Sequence, residues 1–173
     1  MLLKTMGGVL VIAATSMWGH TAAERVKNSY DQLQYLQKLL YLLRSEILYA
    51  RSYLGEAFLQ IGQKAKSPYR EWLLGLCSQM EGERGGTFAE MWEVSTKAGL
   101  KDSGLLESEL LRLAAFGSQL GIADAEMQVK LLDLYLDELR LTMDELREEM
   151  RTKIRICHCL GVMSGIFITV LLI

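Results

Sequence analysis

From Glu24 onward, apolar residues recur three and four positions apart, the spacing that lines one face of an α-helix. Leu33, Leu36, Leu40, Leu43 and Ile47 follow one another at steps of three, four, three and four, which predicts one buried seam. Leu39, Leu42 and Leu48 make a second row beside it, widening the expected apolar face beyond what a two-stranded coil needs. That width suits a helix inside a bundle. Breakers at 62–68, 81–86, 99–104 and 117–124 divide the region, predicting helices over 24–52, 54–64, 68–80, 87–98, 105–119 and 124–155. No stretch alternates with period two, so no strand is expected. Short connections favour antiparallel neighbours, and the predicted class is all-α: a compact helical bundle of about six helices.

The two ends follow a different pattern. Of the 19 Lys and Arg residues only Lys4 precedes Glu24 and none follows Arg155, while all 21 acidic residues lie between Glu24 and Glu149. The stretch 5–23, TMGGVLVIAATSMWGHTAA, is long enough to cross a hydrocarbon core of about 30 Å. A cleaved signal peptide is the rival reading, with Lys4 as its positive start and Ala22 and Ala23 as small residues near a cleavage point. The C-terminal stretch 156–173, ICHCLGVMSGIFITVLLI, is more apolar and is preceded by Arg147, Arg151, Lys153 and Arg155. The expected organisation is therefore an N-terminal transmembrane helix over 1–23, a soluble bundle over 24–155 and a C-terminal transmembrane helix over 156–173. The basic flanks hold the middle in the cytoplasm by the positive-inside tendency. A monotopic hairpin is the alternative.

The last helix of the bundle carries an internal repeat. Leu136-Asp-Glu-Leu-Arg140 recurs seven residues later as Met143-Asp-Glu-Leu-Arg147. Asp137 with Arg140, Asp144 with Arg147 and Glu149 with Lys153 have ion-pair spacing, each contributing about 0.2–0.5 kcal/mol. The repeat reads as a solvated face on a bundle helix, or as a partner-docking coil near the membrane.

Chemistry is sparse. The only histidines, His20 and His158, lie in or beside the apolar ends, so the middle offers no imidazole base and no Ser-His or Cys-His pair. Gly82, Gly85 and Gly86 form a polar turn, since no strand precedes them and no Lys-Ser/Thr follows. Cys157 and Cys159 are two residues apart and point to different sides of a helix, which defeats a shared metal. With a net charge of −2, nucleic acid has little to attract it. No cofactor or metal is expected, and no enzyme activity. Trp72, Trp92, Phe58, Phe88, Phe116 and Met91 recur at helical spacings and are assigned to the core. Gly161 and Gly165, four apart in the second apolar end, fit the close-packing motif of membrane helices.

A family resemblance now enters. Leu39-Leu-Tyr-Leu-Leu-Arg-Ser-Glu-Ile47, then Tyr49 and Leu54-Gly-Glu-Ala57, then Phe116-Gly-Ser-Gln-Leu-Gly121 with Asp124 and Gln128, resemble the stage III sporulation protein AB family. Trp92 in FAEMWE also falls where that family carries a tryptophan. Tyr53 stands where the family tends to have a proline, which leaves the first helix free to run on through residue 60. The resemblance implies a part in the channel-like complex between mother cell and forespore, at the outer forespore membrane on the mother-cell side. It also implies similarity to the cytoplasmic domain of type II secretion and type IV pilus F components. The implied role is a platform joining a cytoplasmic secretion-type ATPase to the membrane parts. Glu46, Glu56, Asp124 and Gln128 are then the matched polar positions, either docking a partner or holding the fold. Asp124 reads first as the N-cap of the last helix. A membrane-tethered regulator binding a ligand in the bundle, and a coiled-coil homo-oligomer built on the last helix, are the competing functions.

Overall fold

The computed structural model describes residues 24, 26–82 and 86–172, with side chains as far as Thr152 and at Ile156. Among them every regular element is helical, and the chain divides into two units, 31–143 and 1–30 with 144–173.

The leucine seam builds α1 over 26–45. Leu33, Leu36, Leu40 and Leu43 are buried, as is Ile47 in the wider π-type turn Glu46–Ala50 that follows. The second row divides: Leu39 is buried, but Leu42 and Leu48 are exposed. One face of a helix cannot keep two full rows against the same neighbours, so α1 buries a narrower stripe than the sequence suggests.

Helix α1 does not run on to residue 60. The chain turns at Arg51, whose φ of 54° is left-handed, and Tyr53 is extended before α2, Leu54–Lys64, begins. The carbonyl of Glu46 accepts from the amides of both Arg51 and Ser52, so the wide turn closes on itself. A proline is not needed to stop the helix when the backbone satisfies its end this way.

Helix α3 is Tyr69–Glu81, α4 is Phe88–Gly99, α5 is Glu107–Leu120 and α6 is Ala125–Leu172. Each boundary lies within about two residues of the sequence expectation, except that α6 continues without a break past 155. Thr87 and Glu90 close a capping box at the start of α4, in which each side chain accepts from the other's backbone N–H. Helix α3 packs against both α2 and α4, and α4 against α5.

Trp92, fully buried, is the centre of the 31–143 unit. Its ring meets Trp72 at 5.2 Å, Phe58 and Phe88 at 5.8 Å and Phe116 at 6.3 Å between centroids. Phe116 in turn stacks on Tyr135 of α6 at 4.8 Å. The predicted aromatic core is thus one cluster drawn from α2 to α6. In the other unit Ser29 and Leu146 are buried.

The predicted anchor over 1–23 lies outside the described residues. Over 156–173 the backbone is helical through Leu172, and beyond Ile156 the side chains lie outside the described residues. Among the described residues no helix is long and apolar enough to cross a membrane.

Candidate functional site

Helix α6 begins on a carboxylate. Asp124 Oδ1 accepts from the amide of Met127 at 2.8 Å, three residues on, which is the N-cap expected from the sequence. Four residues further, Gln128 Nε2 donates to the carbonyl of Leu120 at 3.1 Å and so satisfies the end of α5. Asp124 thus caps α6 from an exposed position, and Gln128 ties α6 to the end of α5.

A third contact on α6 was not singled out from the sequence. Arg44 Nε and Nη2 donate to Asp133 Oδ1 at 2.5 Å and Oδ2 at 3.0 Å, a two-pronged bridge between α1 and α6. The hydrogen bond to Asp133 raises the Arg44 pKa, with the carboxylate's charge acting in the same sense and partial burial opposing it. The partners are 89 positions apart, so only the presence of Arg44 inside the quoted motif hinted at a role.

Glu46 opens the π-type turn, half-buried, and its Oε2 accepts from the Ser52 hydroxyl at 3.4 Å. Glu56 is exposed in the first turn of α2 and takes no hydrogen bond or ion pair among the described residues. The four matched positions thus separate into Asp124 and Gln128, which hold helix ends, Glu46, which holds its own turn, and Glu56, which has no such partner among the described residues. Gly161 and Gly165 lie in the helical backbone of α6, their surroundings outside the described residues. The Glu149–Lys153 pair, His20 and the Cys157–Cys159 segment likewise fall outside the described side chains.

The motif glycines have a packing cause. A Cβ on Gly117 would overlap the Trp92 ring, and one on Gly121 would overlap Phe88. Thus α5 carries glycine where two aromatic rings of α4 lie on its backbone. Trp92 Nε1 donates to the Leu113 carbonyl at 2.7 Å, and Trp72 Nε1 to Thr96 Oγ1 at 3.2 Å.

Other polar groups sit in the interior. Glu109 is buried in the first turn of α5 and accepts from Arg112 Nη1 at 3.0 Å. Burial raises the Tyr135 pKa, with the negative charge of Glu109 adding to it, and its hydroxyl has no hydrogen-bond partner among the described residues. Burial also raises the Cys77 thiol, reinforced by Glu81, whose Oε1 lies 3.7 Å from Sγ. Among the described residues no group of three or more His, Cys, Asp or Glu is placed to hold a metal ion. The void between Leu36, Leu40, Phe58, Trp72 and Trp92 is about 10 Å³ and wholly apolar, too small to be a ligand chamber.

These features define an all-α bundle in which polar contacts such as Arg44–Asp133, Gln128–Leu120 and Trp72–Thr96 join one helix to another. The family model of stage III sporulation protein AB matches residues 4–173, and the chain belongs to that family. It is 27% identical over 172 residues to the stage III sporulation protein AB of Bacillus subtilis (strain 168), covering 99% of each chain. A solved structure of stage III sporulation protein AB has a TM-score of 0.63 with it at 26% identity, over 72% of this chain and 97% of that one. Membership associates the chain with the third stage of sporulation.

Proposed function

We propose that the chain is a membrane-anchored platform in a secretion-like sporulation complex between mother cell and forespore. In this reading the apolar segments 1–23 and 156–173 span the membrane and the bundle faces the cytoplasm. There it couples a secretion-type ATPase to the membrane-embedded components. The observation that carries the reading is the family match from residue 4 to residue 173, which takes in both apolar ends together with the bundle. The described fold adds compatible physics. Arg44 with Asp133 ties α6 to α1, and Gln128 with the Leu120 carbonyl ties it to α5, as a scaffold that holds its helices together would need.

Capture of the full chain in detergent by the cognate ATPase tests the proposal, with Glu56→Lys and Glu93→Lys variants for comparison. Saturable capture supports the platform. Absence of capture, with the chain folded by circular dichroism and the ATPase active, would sink the ATPase link.

A further inference from the structure

Leu134 and Leu141 stand two turns apart on α6 with 59% and 65% of their surfaces exposed, whereas Leu132, Leu136 and Leu139 are almost fully buried. At about 100° per residue, Leu141 lies only about 20° around the helix from Leu134. Together they form one row on the side of α6 turned away from the core, and Met127, half exposed, begins it seven residues earlier. Single exposed leucines are ordinary. A row in register on a helix held at three points is the pattern by which helices dock.

The unpaired charges beside this row are acidic, since Lys130, about 40° around the helix from Leu134, is taken up by Glu126. Asp137 and Glu138 lie on opposite sides of it, about 60° and 40° from Leu134. Both are exposed, and neither carboxylate takes an ion pair or hydrogen bond among the described residues. The Asp137–Arg140 pair that the spacing suggests does not form there. By contrast, Glu126 is paired with Lys130, Glu93 with Lys97 and Asp133 with Arg44.

A second copy fits this face poorly. If Leu134 and Leu141 are one seam position of a heptad, the other is Asp137, which meets its own charge in a parallel pair. Anionic headgroups and nucleic acid are repelled by the same carboxylates. The complement is a helix with an apolar spine edged by lysine or arginine. We propose that Leu134, Asp137, Glu138 and Leu141 form the docking face for a basic amphipathic helix of a partner protein. The proposal rests on the platform reading and supplies the chemistry of the segment that would engage it.

The test uses the full chain in a non-ionic detergent and a fluorescent Leu/Lys amphipathic peptide, with its Leu/Glu counterpart as control. The basic peptide should bind, more weakly as salt rises, and the acidic one should not. Leu134→Gln with Leu141→Gln, and separately Asp137→Asn with Glu138→Gln, should each weaken binding by about tenfold or more. Glu93→Gln with Val94→Gln, an exposed acid and apolar pair on α4, should leave it unchanged. Unaltered helical dichroism keeps loss of fold apart from loss of binding. No binding, or equal binding by every variant, overturns the proposal. So does a concentration-dependent dimer that Leu134→Gln with Leu141→Gln abolishes, because the occupant would then be a second copy. ATPase capture run on the same variants separates the two readings: capture that persists while peptide binding fails removes this face and leaves the platform standing.

Discussion

Trp92 lies against Gly117, so close that its Cδ1, Cγ and Cβ occupy the space a side chain at Gly117 would need. The same indole donates to the Leu113 carbonyl, one turn earlier on α5, at 2.7 Å. One residue therefore fixes both the distance and the rotation of α4 on α5.

Gly117→Ala tests that closeness. Alanine favours a helix over glycine by about 1 kcal/mol, but overpacking a well-filled core costs about 1–3 kcal/mol or more. With a whole ring in the way, the clash should win and denaturant unfolding should move to lower concentration. Trp92→Ala should cost about 3–5 kcal/mol. Combining the two should cost less than the sum of the single changes, because the ring that the added methyl group would strike is then absent.

The α1–α6 bridge should prefer arginine. Arg44→Lys keeps the charge but loses the two-pronged geometry to Asp133, so it should lower the unfolding midpoint. Asp133→Asn should lower it too, and the double variant should show coupling in a double-mutant cycle. Zero coupling would mean the bridge does not hold the two helices together.

The cap on α6 should depend on an oxygen acceptor. Asp124→Ala should destabilise by about 0.5–2 kcal/mol, while Asp124→Asn should retain most of the stability because asparagine also accepts from the Met127 amide. Thermal unfolding of both variants distinguishes this capping role from a partner contact, which would leave the midpoint unmoved.

Alkaline pH should unfold the protein, in part through Tyr135. Its folded pKa is raised above the ordinary value of 10.0, first by burial and then by the charge of Glu109. The neutral phenol is favoured by the fold, so this contribution is complete below about pH 10 and is lost as pH rises toward the folded pKa. Tyr135→Phe should shift that loss to higher pH. It should also be neutral or stabilising near pH 7, since the hydroxyl it removes is buried without a partner. A Tyr135→Phe variant with an unchanged alkaline limb would rule out this residue as the cause.

Glu56 and Glu46 should behave differently. Glu56→Lys is expected to leave stability within about 0.5 kcal/mol, as exposed changes do, and to weaken ATPase capture if α2 meets the partner. Glu46→Lys should lower stability, because Glu46 accepts from Ser52 where the chain reverses.

Local order was legible in the residues themselves. Apolar steps of three and four marked α1, and Asp124 before an apolar run marked the start of α6, because caps and helix faces depend on residues within a few positions of each other. Most of the aromatic set was also recognisable as core: Phe58, Trp72, Trp92 and Phe116 are buried, whereas Phe88 and Met91 are only half-buried. The tertiary structure alone decided which partners these residues meet. The reversal at Arg51 falls at the break expected between 52 and 54, but a left-handed backbone turn makes it without a breaker residue, and Leu42 and Leu48 were left outside because α1 met its neighbours along one stripe. Arg44 found Asp133 across 89 positions, and Trp92 chose Gly117 across a helix hairpin. Such pairings depend on how helices rotate about their axes as they pack, and that rotation is settled only when the whole interior is filled at once.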